Sequence, residues 1–305
     1  MTSSLKTTTA VVLNWRTPEH TARAVRQLAQ DGLAESRIVI VDNASADGSI
    51  DRFRSEFPRA TVVAMEKNVG FARGNNEGAA VLRGSAYLFV NSDAFVHREG
   101  STARLVAALA SGVGIAVPRL LNSDLTLQPS VVPASTPLPE VVRASGLSRF
   151  VPDRWQPVLG THWGHGYSRP INAATGAVLA VGVDAWRALG GFAETQFMYA
   201  EDLDLCWRAR RLGWEVHFVA EAEFIHLGNA SASSVWSDPE RAERVARAEA
   251  AMIRKNLPRG RAALTLGLMA AGVGARAVAF AALRDRVAAE ASRGWWRGYV
   301  AGLRG

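Results

Sequence analysis

Apolar runs that break off at a short polar residue set the rhythm of the first half of the chain. Ala10-Val11-Val12-Leu13 stops at Asn14, Ile38-Val39-Ile40-Val41 at Asp42-Asn43, and Tyr87-Leu88-Phe89-Val90 at Asn91-Ser92-Asp93. Runs of this kind, rich in β-branched and aromatic residues and without polar alternation, predict strands covered on both faces. A shorter strand is predicted over Thr61 to Met65. Between these runs, Pro18 opens a helix as a favoured first-turn residue, Ala44 to Gly48 forms a turn, and Ser49 to Phe57 is helical. Gly70 to Leu82 is a turn and helix punctuated by glycine and asparagine. Strands alternating with short helices imply parallel βαβ units, connected right-handedly, in a Rossmann-like half.

The polar residues that end the strands matter because ligands of open α/β sheets bind at the carboxyl edge. Asp42 and Asp93 would both be delivered there, although an aspartate ending a strand can also simply cap the next helix. The chain lacks the G-x-G-x-x-G phosphate turn, since Gly70, Gly74 and Gly78 are spaced four apart. This argues against a nicotinamide-dependent oxidoreductase.

Further along, Gly114 to Pro118 reads as another strand, and Leu121 to Asn172 is irregular with seven prolines. A long loop-rich insertion is more often functional than idle. The histidines of His162-Trp163-Gly164-His165 within it read as incidental rather than as a metal pair. Ala177 to Val183 returns to strand character after the turn residue Gly176. Glu201, Asp202 and Asp204 then cluster where a helix should begin, Arg208, Arg210 and Arg211 lie toward its end, and Gly213 stops it. That order suits the helix dipole, so the charges alone do not establish chemistry. Val216 to Val219 and Glu223 to His226 read as two short strands.

The C-terminal region differs. Asp238 to Lys255 is a charged helix, and Ala262 to Leu283 is almost entirely apolar apart from Thr265 and Arg276. About 20 residues suffice to span a bilayer, but an arginine at mid-membrane costs at least about 2.5 kcal/mol. An interfacial helix or helical hairpin fits better, with Arg259, Arg261, Arg284 and Arg286 at anionic headgroups and Trp295, Trp296 and Tyr299 at the interface. A buried helix or an oligomer contact competes with it. We divide the chain into residues 1–232, with a first half of about 8–118 and a second of 119–232 (the donor and acceptor halves in the resemblance drawn below), and a helical, membrane-associating region 233–305.

Composition narrows the class. With 48% hydrophobic and 21% charged residues among 305, the chain is globular. A formal charge of +7 points to an anionic partner such as a nucleotide or a membrane surface. The single Cys206 fits a reducing compartment, and the polar N-terminus carries no secretory signal, so the expected location is cytoplasmic.

Val41-Asp42-Asn43-Ala44-Ser45, Lys67-Asn68-Val69-Gly70-Phe71-Ala72-Arg73-Gly74-Asn75-Asn76, Asn91-Ser92-Asp93, Thr175-Gly176-Ala177, Glu201-Asp202-Leu203-Asp204-Leu205-Cys206-Trp207-Arg208 and His226-Leu227-Gly228 follow one another in the chain. This collinear set, over about residues 8 to 232, resembles the family 2 glycosyltransferases of the GT-A fold, in particular their bacterial rhamnosyltransferase-like branch. The resemblance implies an α/β fold with a mostly parallel central sheet and helices on both faces. It implies that Asp42 accepts a hydrogen bond from the base of a pyrimidine nucleotide, and that Asn14 and Asn43 help hold the nucleoside. The segment containing Gly70, Phe71 and Asn75 would approach the ribose and diphosphate. Asn91, Ser92 and Asp93 would face the phosphates, with Asp93 binding a divalent cation, Mg²⁺ or Mn²⁺. Asn91 stands where many relatives carry the first carboxylate of a D-x-D motif, and His226 becomes a second metal ligand. Asp202 would be the general base, Glu201 would lie beside it, and Gly176 and Ala177 would line the sugar and acceptor space.

The activity so implied is inverting transfer of a sugar, L-rhamnose from dTDP-rhamnose as first choice, to a glycan or polyprenyl-diphosphate-linked acceptor in cell-envelope polysaccharide synthesis. The enzyme would work on the cytoplasmic face of the membrane, without nucleic acid and with room for a homo-oligomer. A UDP-sugar transferase of galactose, galactofuranose or N-acetylglucosamine is the nearest alternative. A catalytically silent, membrane-peripheral nucleotide-binding protein is the alternative from another class.

Overall fold

The computed structural model describes residues 5–110, 112–133, 135–144, 150–156, 165–195, 197–228 and 238–304. His162 of the histidine pair lies outside them. The chain forms two compact units, residues 1–131 with 164–231 and residues 132–163 with 232–305. The boundary expected from the sequence lay near 232 alone; in the structure the proline-rich segment 132–163 groups with the C-terminal helices.

The first unit is built on a ten-stranded sheet. Its first half follows the expected order: β1 (Thr8–Asn14), α1 (Pro18–Gln30), β2 (Ile38–Asp42), α2 (Ser49–Glu56), β3 (Thr61–Ala64), α3 (Phe71–Val81) and β4 (Ala86–Asn91). The strands β3-β2-β1-β4 are all parallel. Helices cover both faces. On one, Ala10 and Val12 of β1 meet Val25 and Leu28 of α1 and Phe53 of α2 in the main core. On the other, a side chain at Gly74 or Gly78 would strike Leu13 or Val11, so these glycines let α3 lie directly on β1.

The second half is mixed. It contains β5 (Ala94–Val96), α4 (Ser101–Ala107), β6 (Val113–Leu121), β7 (Leu127–Gln128), β8 (Arg169–Ile171), β9 (Val178–Gly182), α6 (Val183–Leu189), α7 (Glu201–Arg211) and β10 (Glu215–His226). The sheet continues from β4 through β9, β6 and β10 to β5. Strand β9 is antiparallel to both β4 and β6, whereas β6 and β10 are parallel. The two short strands expected near the end of this unit are one, β10, with a register irregularity between Val219 and Glu223. Phe89 of β4 packs against Trp186 of α6 and against Phe192, with ring centroids 4.8 and 4.9 Å apart.

The second unit contains α5 (Pro137–Ala144), α8 (Asp238–Asn256), α9 (Arg259–Ala282) and α10 (Arg286–Arg304). Pro137 begins α5, where a proline costs no hydrogen bond. Along α10, Gly294, Gly298 and Gly302 recur every fourth residue and lie against Pro239 and Ala242, Ala246, and Ala250 of α8. A side chain at any of the three would overlap its neighbour. Helix α9 is long and apolar enough to cross a membrane by length and composition, but one stripe of it, including Ala262, Leu266, Met269, Val273 and Ala277, is buried inside this unit. Tyr299, expected at a membrane interface, is buried and donates to Glu249 at 2.6 Å, while Trp296 is partly exposed.

Candidate active site

The parallel register places Asn14 and Asp42 side by side at the carboxyl edge. Asn14 Nδ2 donates to Asp42 Oδ2 at 2.6 Å, and the Ser45 backbone N–H donates to Asp42 Oδ1 at 2.9 Å. Asn14 is itself fixed by Thr21, whose hydroxyl donates to its Oδ1 at 2.7 Å. Asp42 is fully buried, and in this conformation it holds the 43–48 loop, where Ala44 and Ala46 adopt positive φ of 60° and 54°. Asn43 binds the next loop through Asn68 Oδ1 and the Val69 N–H, each at 2.9 Å. Gly70 follows at φ +84°, and a Cβ there would overlap the Phe197 carbonyl that accepts from the Phe71 N–H. Phe71 packs edge-on against Phe192. Asn75 lies inside α3, buried, with its amide donating to the Phe71 carbonyl of its own helix at 3.0 Å.

At the end of β4 the Asn91 N–H donates to the Ala177 carbonyl at 2.9 Å. Ser92 Oγ accepts from Thr17 Oγ1 at 3.0 Å. Pairing of β10 with β5 sets His226 opposite Ala94, and this brings His226 Nε2 to 3.4 Å from Asp93 Oδ1. The far side of the same imidazole meets Gln128, with Nδ1 2.8 Å from Oε1. Among the described residues no cluster of three His, Cys, Asp or Glu side chains stands ready for a metal. The donors present are the carboxylate of Asp93, the imidazole of His226 and the amide oxygen of Asn91, which is buried without a hydrogen-bond partner. Oxygen donors with one imidazole fit a divalent cation such as Mg²⁺ or Mn²⁺, and the unpaired Asn91 oxygen is the kind of atom a ligand would satisfy.

The third group sits where α7 begins. The chain reaches the helix through Tyr199 and Ala200 at φ 78° and 62°, two consecutive non-glycine residues in a conformation that L side chains rarely adopt. Asp202 Oδ2 accepts from the Gly176 N–H at 2.6 Å and Oδ1 from the Leu203 N–H at 2.7 Å. Burial raises the Asp202 carboxyl above its ordinary range, and these two N–H bonds oppose it. Glu201 is pushed up to about 8, first by burial and then by the charge of Asp202, and its Oε2 is buried without a hydrogen-bond partner. Burial thus favours the protonated form of both carboxyls, and the backbone donors at Asp202 favour its charged form. Arg208 is structural: it pairs with Asp204 at 2.6 Å and binds the Leu189 and Gly191 carbonyls. Burial pushes the Cys206 thiol up to about 12, which leaves it unreactive.

Asn91 and Asp202 are joined through one short segment, since Ala177 accepts from Asn91 and Gly176 donates to Asp202. Gln128 was not legible as a site residue, because a two-residue strand in a proline-rich stretch carries no periodic signal. Only its placement opposite His226 reveals it.

A parallel βαβ half continued by a mixed half, with acidic side chains gathered at strand ends and at a helix start, is a GT-A glycosyltransferase fold. Solved structures agree. The Pyrobaculum calidifontis mannosyltransferase PcManGT, in complex with GDP-Man and Mn²⁺, superposes with a TM-score of 0.55 at 17% identity, over 97% of this chain and 85% of that one. Staphylococcus aureus TarS 1–349 in complex with UDP-GlcNAc gives 0.54 at 14% identity, over 97% and 92%. Residues 10–131 match the model of glycosyl transferase family 2. The chain is 27% identical over 233 residues to the N-acetylglucosaminyl-diphospho-decaprenol L-rhamnosyltransferase of Mycobacterium tuberculosis, covering 70% of this chain and 74% of that protein. It is 24% identical over 206 residues to the low-salt glycan biosynthesis hexosyltransferase Agl10 of Haloferax volcanii, covering 66% and 61%.

Proposed function

We propose that this glycosyltransferase is inverting and transfers L-rhamnose from dTDP-rhamnose to a hydroxyl of a polyprenyl-diphosphate-linked or glycan acceptor in cell-envelope polysaccharide synthesis. The observation that carries the mechanism is Asp202, a carboxyl fixed by two backbone N–H groups and linked through Gly176 and Ala177 to Asn91 at the end of β4. Asp202 takes the proton of the acceptor hydroxyl as that oxygen attacks the anomeric carbon. The bond from carbon to the diphosphate oxygen breaks on the opposite side, so the configuration inverts in one displacement. Asp93 and His226, with Asn91 as a neutral third donor, would hold a divalent cation that offsets the charge of the departing diphosphate. Asn14, Asp42, Asn43, Gly70, Phe71, Asn75 and Ser92 form or support the nucleotide side, and Ala177 with Gly176 and Glu201 the acceptor side. The donor choice rests on likeness to the mycobacterial L-rhamnosyltransferase. The acceptor is suggested by that relative's name, and a place on the cytoplasmic face of the membrane by the cationic, apolar α9 region.

Calorimetric titration with dTDP, UDP, GDP and ADP, each with and without Mn²⁺, tests this. Metal-dependent binding of the pyrimidine diphosphates, tightest for dTDP and lost in Asp93→Ala, is expected. Binding of none of them would overturn the transferase reading in favour of a silent scaffold, and a UDP preference would move the donor to a UDP-sugar.

A further inference from the structure

The imidazole of His226 has two nitrogens, and only the one facing Asp93 is in position to meet a cation. The other is committed to Gln128, whose amide orientation can be derived. The Gln128 atom lying 3.1 Å from the His226 backbone carbonyl must be the NH₂ group, because a carbonyl oxygen only accepts. The same NH₂ donates to Asn122 Oδ1 at 3.0 Å. The remaining amide atom, Oε1, is then an acceptor, so the His226 Nδ1 that faces it at 2.8 Å must carry the hydrogen. In the neutral ring this leaves the Nε2 lone pair directed at the Asp93 side.

The support for Gln128 is built in depth. It sits on β7, paired to β6 through Leu120 opposite Gln128 and Leu121 opposite Leu127. The connecting turn is closed by Asn122 N–H to the Thr126 carbonyl at 2.8 Å and by Asn122 Nδ2 to Thr126 Oγ1 at 2.9 Å. Asp124 fixes it further, accepting from the Thr126 N–H at 3.0 Å. A hairpin in the loop-rich segment after β6 is thus aimed at the back of one histidine.

We propose that Gln128 is a positioning residue that locks His226 in the Nδ1–H tautomer and so presents Nε2 for metal coordination. This rests on the metal role given above to Asp93 and His226. Hydrogen-bond partners behind histidine ligands orient them, and their loss typically costs about 10- to 100-fold in metal affinity.

The test uses the full chain and two variants. Gln128→Leu removes the acceptor; Gln128→Glu keeps an acceptor for Nδ1–H and serves as the conservative rescue. The tautomer of the neutral His226 ring is read from ¹⁵N imidazole spectra of metal-free protein, and Mn²⁺ affinity by electron paramagnetic resonance with dTDP or UDP present. Wild type and Gln128→Glu are expected to show Nδ1–H, with Mn²⁺ affinity falling about 10- to 100-fold only in Gln128→Leu. An Nε2–H tautomer in the wild type, or a Gln128→Leu variant matching the wild type in both measurements, would overturn the proposal. A tautomer that shifts as expected in a protein that holds no Mn²⁺ would sustain the orienting role and overturn the metal reading beneath it.

Discussion

Asp202 accepts a 2.6 Å hydrogen bond from the Gly176 N–H, and the two residues are so close that a Cβ on Gly176 would stand 2.7 Å from the Cβ of Asp202. The contact fixes a carboxylate on a helix to the loop that precedes the antiparallel strand β9, whose neighbour β4 ends at Asn91. It gives Asp202 one orientation and favours its charged form against the effect of burial, both of which serve a base.

Replacing Asp202 by asparagine should keep the bond from Gly176 through its amide oxygen, at the loss of the one from Leu203. Calorimetric affinity for the nucleoside diphosphate is expected to stay within about threefold, while transfer falls about 10²- to 10⁴-fold, the usual contribution of a general base. Turnover at the wild-type rate would remove Asp202 from that role.

Glu201 makes a prediction about stability. An acid whose pKa rises from 4.5 to about 8 on folding holds its proton more tightly in the folded state. Its contribution therefore favours the fold at low pH and is lost as pH climbs through that interval. Glu201→Gln removes the ionisation while keeping the shape. Melting temperatures equal to wild type at about pH 3.5 and higher by at least about 2 °C at about pH 9 are expected. A difference that is the same at both pH values would refute it.

The membrane proposal can be tested by charge alone. Arg259, Arg261, Arg284 and Arg286 are all exposed. Each basic residue near an anionic bilayer is worth about 1 kcal/mol. Reversing all four to glutamate should therefore weaken binding to vesicles containing anionic lipid by more than about a hundredfold. Undiminished flotation of the variant would leave no electrostatic contact to explain.

What was legible in the chain followed burial. Strands covered on both faces must be uninterrupted apolar runs, so β1, β2 and β4 and the polar residues that end them stood out. Where the sheet turns mixed, the signal weakened. Strand β5 has three residues, too few for any period, and α4 follows it without an apolar run of its own. Strand β10 was split because Glu221 interrupts it at its irregularity. The prolines at 137 and 139 suggested loop, yet a helix tolerates proline in its first turn. In the site, residue types marked Asp42, Asp93 and Asp202, but types alone cannot show that the Asn75 amide also bonds the Phe71 carbonyl of its own helix. They also cannot show that Gln128, far from any motif, stands behind His226.

The glycines of α10 have a consequence for where the C-terminal unit can work. Contact between Gly294, Gly298, Gly302 and the alanines of α8 brings backbone against backbone, and its cohesion comes from dispersion across a close fit. Packing of this kind does not require water to be expelled, which is why small residues also join helices within lipid. The α8–α10 pair can therefore keep the same seam whether its outer faces meet water or hydrocarbon. The unit carries an internal hinge-free joint that is indifferent to the medium around it.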